Sequence, residues 1–198
     1  MLSLIYARSL DYCIGRRGQV PWHLPDEFAH FQRTTLHHAV IMGRKTYEDH
    51  NSLLPDRLNI VLTTAPGYTA APGVVLARSF DEAIELAGRE TRDVFIVGGV
   101  QLFERSFPAA RRVFETVVHT TVPDGDTFVP HFDFSGFEQR VLERHATDAR
   151  HAFSFEVSLY ERREAILGAW ARSSRLVSIV SARMTTTRPK PSHWRSRR

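Results

Sequence analysis

The sequence predicts an α/β domain. A mixed, mostly parallel central sheet carries helices on both faces, a three-layer sandwich, and closes on an antiparallel C-terminal hairpin. Three observations predict it. Short β-rich apolar runs alternate with segments of helical period as far as Ser106. Beyond that point only strand patterns follow, which calls for antiparallel pairing at the end of the sheet. A content of 42% hydrophobic and 11% aromatic residues supplies a core large enough to fill the space between layers.

Taken in order, Leu2–Ala7 reads as a strand and Asp11–Pro25, with two Gly and two Pro, as a long loop. Asp26–Leu36 sets Phe28, Phe31 and Thr35 at helical spacing behind a proline. Ala39–Met42 is a strand that stops at Gly43, and Arg44–Asp49 opens a helix. Leu58–Thr63 is a strand followed by the turn Ala65-Pro66-Gly67. Ser79 caps a helix over Phe80–Ala87, with Glu82 three residues on to complete a capping box. Val94–Val97 is a strand meeting Gly98-Gly99, and Val100–Ser106 is helical. Val113–Thr121 is a longer strand, and Gly136–Glu143 pairs with Ala152–Glu161, where Phe153, Phe155, Val157 and Leu159 alternate with polar neighbours. No internal repeat is visible.

Charge divides the chain. Residues 163–198 hold nine Arg or Lys and one Glu, a local +8, so the whole-chain +4 leaves residues 1–162 at −4. The expected organisation is therefore a catalytic-sized domain over residues 1–162 and a basic, largely disordered tail over 163–198. A nucleic-acid role for the whole protein loses its support, leaving at most a weak contact through the tail. A solvated appendage or an association surface are the other readings of that tail. One cysteine, Cys13, excludes an internal disulfide framework and a cysteine-rich metal site, and no metal is expected. Neither a signal-peptide pattern nor an apolar run of about 18 residues is present. The expectation is a cytoplasmic monomer without membrane contact.

Two strand-to-helix corners suit anions. In Ile41-Met42-Gly43-Arg44-Lys45-Thr46 a strand stops at glycine and a helix starts with two cations, where backbone N–H groups and the positive helix end attract phosphate. In Phe95-Ile96-Val97-Gly98-Gly99 two glycines let a backbone approach a ligand closely. Each alone also fits an ordinary tight turn, and neither is a G-x-G-x-x-G fingerprint; together they suggest a dinucleotide. A third segment, Pro21-Trp22-His23-Leu24-Pro25-Asp26-Glu27, holds a tryptophan between prolines and then two carboxylates. Asp26 reads as helix N-terminal chemistry. Glu27, before Phe28 and Phe31, would sit at the edge of an apolar face, partly desolvated and able to hold a donor-rich heterocycle.

In this order, these segments resemble dihydrofolate reductase. The likeness runs through Ile14-Gly15, Pro21-Trp22-His23-Leu24-Pro25, Phe31, Val40 to Thr46, Leu54 to Thr63, Val97-Gly98-Gly99 and Gly125-Asp126-Thr127, and covers residues 1–162. It implies NADPH-dependent reduction of 7,8-dihydrofolate to tetrahydrofolate, hydride going to C6 and a proton to N5. It also implies inhibition by antifolates such as trimethoprim or methotrexate. By the resemblance Glu27 pairs with the 2-amino group and adjacent ring nitrogen of the pterin, Thr116 hydrogen-bonds that carboxylate, and Trp22 helps hold a water. Ile5, Ala7, Phe28, Phe31, His50, Leu54 and Val97 would line the folate pocket, and Arg57 would grip the α-carboxylate of the substrate's glutamate tail with its fork. Ala7, Ile14, Gly15, Val20, Gly43, Arg44, Lys45, Thr46, Thr63, Thr64, Gly98, Gly99, Gln101, Leu102, Phe103 and Thr127 would bind NADPH. The loop Ile14–Leu24 would close over the nicotinamide.

Some positions depart from the bacterial family pattern: Phe103 for a tyrosine, Val20 for a longer side chain, His50 for an apolar one, Gln101 for an arginine, and Asn51-Ser52 for a glycine turn. They imply altered antifolate affinity. Two rivals remain: a riboflavin-pathway-type reductase of the same fold, which need not have Trp22 and Glu27 in its pocket, and a non-catalytic nucleotide-binding protein using the tail.

Overall fold

The computed structural model describes residues 1–49, 53–90 and 93–163. The predicted tail beyond Arg163 and the predicted pocket residue His50 lie outside the described residues. Among the described residues ten strands and four α-helices follow one another as β1 (Leu2–Ser9), β2 (Cys13–Gly15), α1 (Pro25–Thr35), β3 (Ala39–Gly43), α2 (Arg44–Asp49), β4 (Leu58–Leu62) and β5 (Val74–Ala77). Then come α3 (Phe80–Glu90), β6 (Val94–Gly98), α4 (Val100–Ser106), β7 (Arg112–Val118), β8 (Thr127–Phe128), β9 (Phe137–His145) and β10 (Phe155–Arg162). Eight strands form one sheet in the order β5-β4-β3-β6-β1-β7-β10-β9. Pairing is parallel from β5 to β7, and β10 is antiparallel to both its neighbours, which makes the mixed sheet that the sequence predicts.

Period-two alternation distributes the side chains to two cores. Leu4, Ile41, Ile60 and Ile96 face α3 and α4, whose Phe80, Ala83, Ala87, Leu102 and Phe103 complete that layer. Their neighbours Ile5, Val40, Met42, Val61 and Phe95 face the other way, against Phe31 of α1, Tyr47 of α2 and Leu54. A slip of one residue in β3 would exchange the two sets, so the register is fixed by burial on both faces.

Boundaries differ from expectation where local chemistry intervenes. The Asp11–Pro25 loop contains β2, which pairs with β8 to tie residues 13–15 to 127–128. β7 stops at Val118 because the Thr120 N–H turns back to the Val118 carbonyl at 2.8 Å. The capping box of α3 forms in part: Glu82 N–H takes Ser79 Oγ at 3.1 Å, but the Glu82 carboxylate accepts from Arg78 N–H at 2.7 Å. α1 buries His30 and Thr35, whereas Phe28 stands 55% exposed at the lip of a cleft.

Candidate functional site

The cleft, of ≈ 540 Å³, opens at the carboxyl ends of β1, β3 and β6, the end of an α/β sheet where ligands ordinarily bind. Of the residues predicted for a site, Ile5, Ala7, Ile14, Gly15, Val20, Glu27, Phe28, Phe31, Thr46, Leu54, Val97, Gly98, Gly99, Phe103 and Thr127 line it. Sequence reasoning missed Gln32, Met42, Asp49, Leu53 and Pro55, which line it as well. Gln32 was legible: Glu27, Phe28, Phe31 and Gln32 share one face of α1 at helical spacing.

Glu27 and Asp49 are the two carboxylates of this lining among the described residues. Asp49 is exposed to solvent. Glu27 is largely withdrawn from it, and burial pushes its carboxyl up to about 7, against a smaller opposing effect of the Thr116 hydroxyl. That hydroxyl donates to Glu27 Oε1 at 3.2 Å. Thr116 reaches it from β7, on the strand beside β1, and Ala7 pairs with Thr116 in the register. Trp22 packs with Leu24, Val118 and Phe155, and its indole Nε1 is buried without a hydrogen-bond partner among the described residues. A buried N–H of that kind calls for a bridging water.

Arg57 is held rather than free. Its Nε donates to Thr35 Oγ1 at 3.0 Å, Nη1 to the Pro55 carbonyl at 3.0 Å, and Nη2 to the Gln32 carbonyl and Oε1 at 3.2 and 3.0 Å. Buried Asn59 fixes the same loop, accepting from Leu54 N–H at 3.0 Å and donating to the Leu54 carbonyl at 2.8 Å. The expected two-pronged grip on a carboxylate therefore has to compete with Gln32 and Pro55 for the same donors.

The two corners differ in structure. At the β6–α4 corner a Cβ on Gly98 would meet Thr46 Cγ2 at 2.6 Å, so a side chain there cannot coexist with Thr46 of α2. The glycines and Thr46 thus bring the two corners together in the cleft wall. At the β3–α2 corner a Cβ on Gly43 would meet nothing within 4 Å, and Arg44 and Lys45 are exposed beside it. Arg44 pairs with Glu48 at 3.2 Å. These cations stand outside the cleft lining, as do Thr63, Thr64 and Gln101. Thr63 is buried and its Oγ1 accepts from Ala65 N–H at 3.2 Å, while Thr64 and Gln101 are exposed. Leu102 is buried in the core between α4 and the sheet and lies outside the cleft lining.

Loop residues 13–20 form one wall, held from the segment before β8. The Asp126 N–H donates to the Gly15 carbonyl at 3.1 Å, the Arg17 N–H to Asp126 Oδ2 at 2.6 Å, and Arg16 pairs with Asp124 at 3.1 Å. Gly125 is required there, because a Cβ would run into Cys13 Sγ.

Comparison with known proteins gives one family. The sequence pattern of the family dihydrofolate reductase matches residues 1–162. The dihydrofolate reductase of Bacillus subtilis (strain 168) is 35% identical over 164 residues, covering 82% of this chain and 95% of that protein. That of Haemophilus influenzae is 34% identical over 161 residues, covering 81% and 98%. Among solved structures, a dihydrofolate reductase from Enterococcus faecalis complexed with NADP(H) and RAB-propyl superposes with a TM-score of 0.77 at 33% identity, covering 83% of this chain and 97% of that one. With a half-buried carboxylate under a threonine hydroxyl, a glycine corner closed by a threonine and these matches across residues 1–162, the chain belongs to the dihydrofolate reductase family.

Proposed function

We propose that the Glu27 carboxylate holds the pterin of 7,8-dihydrofolate while the β3–α2 and β6–α4 corners hold NADPH. The chain catalyses the NADPH-dependent reduction of dihydrofolate to tetrahydrofolate, the reaction of its family. The observation that carries the residue-level reading is Glu27 itself, the half-buried carboxylate of the cleft, with Thr116 donating to it at 3.2 Å.

Each part of the cleft has a task that its chemistry allows. Glu27 offers two acceptor oxygens to the ring N–H groups of a pterin, in a setting where desolvation strengthens each bond. Ile5, Phe31, Leu54 and Val97 give the ring an apolar slot, and Phe28 covers it from the lip. Glu27 stabilises the protonated heterocycle, and the proton for N5 arrives through water admitted beside Trp22. Arg57, anchored by Gln32 and Thr35, meets the carboxylate of the glutamate tail. Gly43, Gly98, Gly99 and Thr46 allow a pyrophosphate close to the backbone, and exposed Arg44 and Lys45 suit an additional phosphate, which favours NADPH over NADH. When bound, NADPH supplies the hydride. Loop residues 13–20 exclude water from it.

Dihydrofolate and antifolates are thus the small molecules that this cleft fits. Among the described residues no helix is long and apolar enough to cross a membrane. With a single cysteine in the chain, a reducing compartment such as the cytoplasm is the setting we infer. We further infer a monomer, because among the described residues the exposed large apolar side chains outside the cleft, Met1, Leu10, Leu36, Phe128 and Leu142, are scattered singly along the chain.

The test follows NADPH oxidation with dihydrofolate in the wild type and in Glu27→Gln. Wild-type turnover that the variant loses at neutral pH and regains in part in acid, where substrate arrives protonated, supports the assignment. A folded wild type that binds NADPH yet leaves dihydrofolate untouched would transfer the site to a riboflavin-pathway-type substrate.

A further inference from the structure

One buried polar side chain has no part in the chemistry above: His151, in the turn between β9 and β10. The N-cap of α1, Leu24, supplies no side-chain cap, and Pro25, the first helical residue, brings no N–H. The Asp26 N–H is therefore the first orphan donor of the helix. It points to His151 Nε2 at 3.2 Å, on a ring whose side chain is 0% exposed. The other ring nitrogen, Nδ1, lies 2.8 Å from Asp148 Oδ1. A nitrogen that accepts a backbone N–H carries no proton, so these partners assign a neutral ring with its proton on Nδ1, donating to Asp148.

The charged groups around the ring come from three elements. From α1, Asp26 Oδ2 stands 3.5 Å from Nε2. From the turn itself come Asp148 and Arg150, whose Nη2 donates to that same Asp26 oxygen at 2.8 Å. From β9, the His145 ring lies 6.0 Å away, itself 3.8 Å from Asp26 and 3.2 Å from Glu143. Phe155 of β10 closes the apolar side, with ring centroids 5.9 Å apart. Arg150 and His145 can hold the Asp26 carboxylate, but only an acceptor serves its N–H.

We propose that His151 is a positioning residue for the reduction: as a borrowed N-cap it fixes the first turn of α1, and with it the Glu27 carboxylate against Thr116. The proposal rests on the reading of Glu27 given above. Glu27 directly follows Asp26, and it takes the Thr116 hydroxyl at 3.2 Å. A first turn without its cap frays, water reaches the carboxylate, and the desolvation that sets its protonation is lost. A histidine with a merely structural role would lower stability and leave the pH profile in place.

Two variants separate these roles. His151→Leu fills the space without an acceptor, and His151→Gln brings an amide oxygen to the neighbourhood of Nε2. His151→Leu should lower kcat/KM for dihydrofolate about tenfold, the size of a lost helix cap. It should also move the acid limb of the pH profile down by about one unit, as Glu27 regains solvent. His151→Gln should restore both. A Leu variant with a lower Tm and an unmoved limb overturns the proposal, as does a Gln variant as defective as Leu. Should either variant fail to fold, ¹⁵N shifts of the wild-type ring decide: a proton on Nδ1 at neutral pH is required, and one on Nε2 overturns it. A wild type that does not turn over dihydrofolate sinks the functional reading and this proposal together, whereas the outcomes above overturn the proposal alone.

Discussion

The two ends of the cleft meet their ligands by opposite means. At the pterin end a carboxylate is drawn largely out of water, held by a threonine hydroxyl, with no cation against it among the described residues. At the phosphate end Arg44 and Lys45 stand in solvent beside Gly43, and Arg44, its side chain 43% exposed, shares its charge with Glu48. The first arrangement makes each hydrogen bond strong and each loss costly. The second attracts from a distance but is screened by salt and tolerant of single changes. Specificity for the heterocycle is thus concentrated in Glu27, and preference for the phosphorylated cofactor is spread over a patch.

The largest effect that this contrast predicts is at Glu27. Glu27→Gln should reduce kcat/KM for dihydrofolate at neutral pH by about 100-fold or more, a loss of the size general acid–base and charge-stabilising groups contribute. Added salt should leave that loss unchanged. A smaller effect is expected at the other end: replacing Arg44 and Lys45 together by Ala should raise the KM for NADPH about tenfold at low ionic strength, with little change for NADH. That difference should shrink as salt is raised through the screening range. Equal losses for both cofactors would break the comparison at its phosphate end.

Thr116→Val comes next. It removes the hydroxyl that holds the Glu27 carboxyl down, so the acid limb of the pH profile should rise further above about 7 and kcat/KM should fall a few-fold. The smallest effect is on stability. The folded-state value of Glu27, about 7, lies above its ordinary 4.5, so the folded protein holds a proton that the unfolded chain has released. Stability is therefore lost progressively as pH rises from about 4.5 to about 7, and the loss is complete above that range. Glu27→Gln should consequently raise Tm by about 5 °C at alkaline pH and hardly change it near pH 4.5. A Tm gain of the same size at both pH values would contradict the burial of an ionising carboxyl.

Much of this was legible from residue patterns, and the gaps have physical reasons. Strands β3 and β6 are continuous apolar runs, largely buried, so their signal is strong, and their glycine ends mark the corners; β1 and β4 keep enough apolar residues around Ser3 and Asn59 to read as strands. β5 escaped because it is only Val74–Ala77, four residues directly behind Pro72 and Gly73, too short for a clear period. β2 and β8 are shorter still and exist only by pairing with each other. Glu27 could be placed at the edge of an apolar face from its spacing to Phe28 and Phe31. Its partner Thr116 could be named only through the family resemblance, because the contact spans 89 positions of the chain. The helix pattern also hid His30, a polar residue that α1 buries because Glu143 and Thr34 satisfy it. Arg57 illustrates the same gap: its charge was visible in the sequence, but not the carbonyl and hydroxyl groups that already occupy it.

The most direct test of the account is a ¹³C NMR titration of the Glu27 carboxyl in the ligand-free protein, assigned by difference with Glu27→Gln. A midpoint near 7 is expected, falling when a cationic pterin-like ligand is bound. A midpoint at the ordinary 4.5 would mean that the carboxylate is solvated, and that the cleft does not recognise its substrate by the means described.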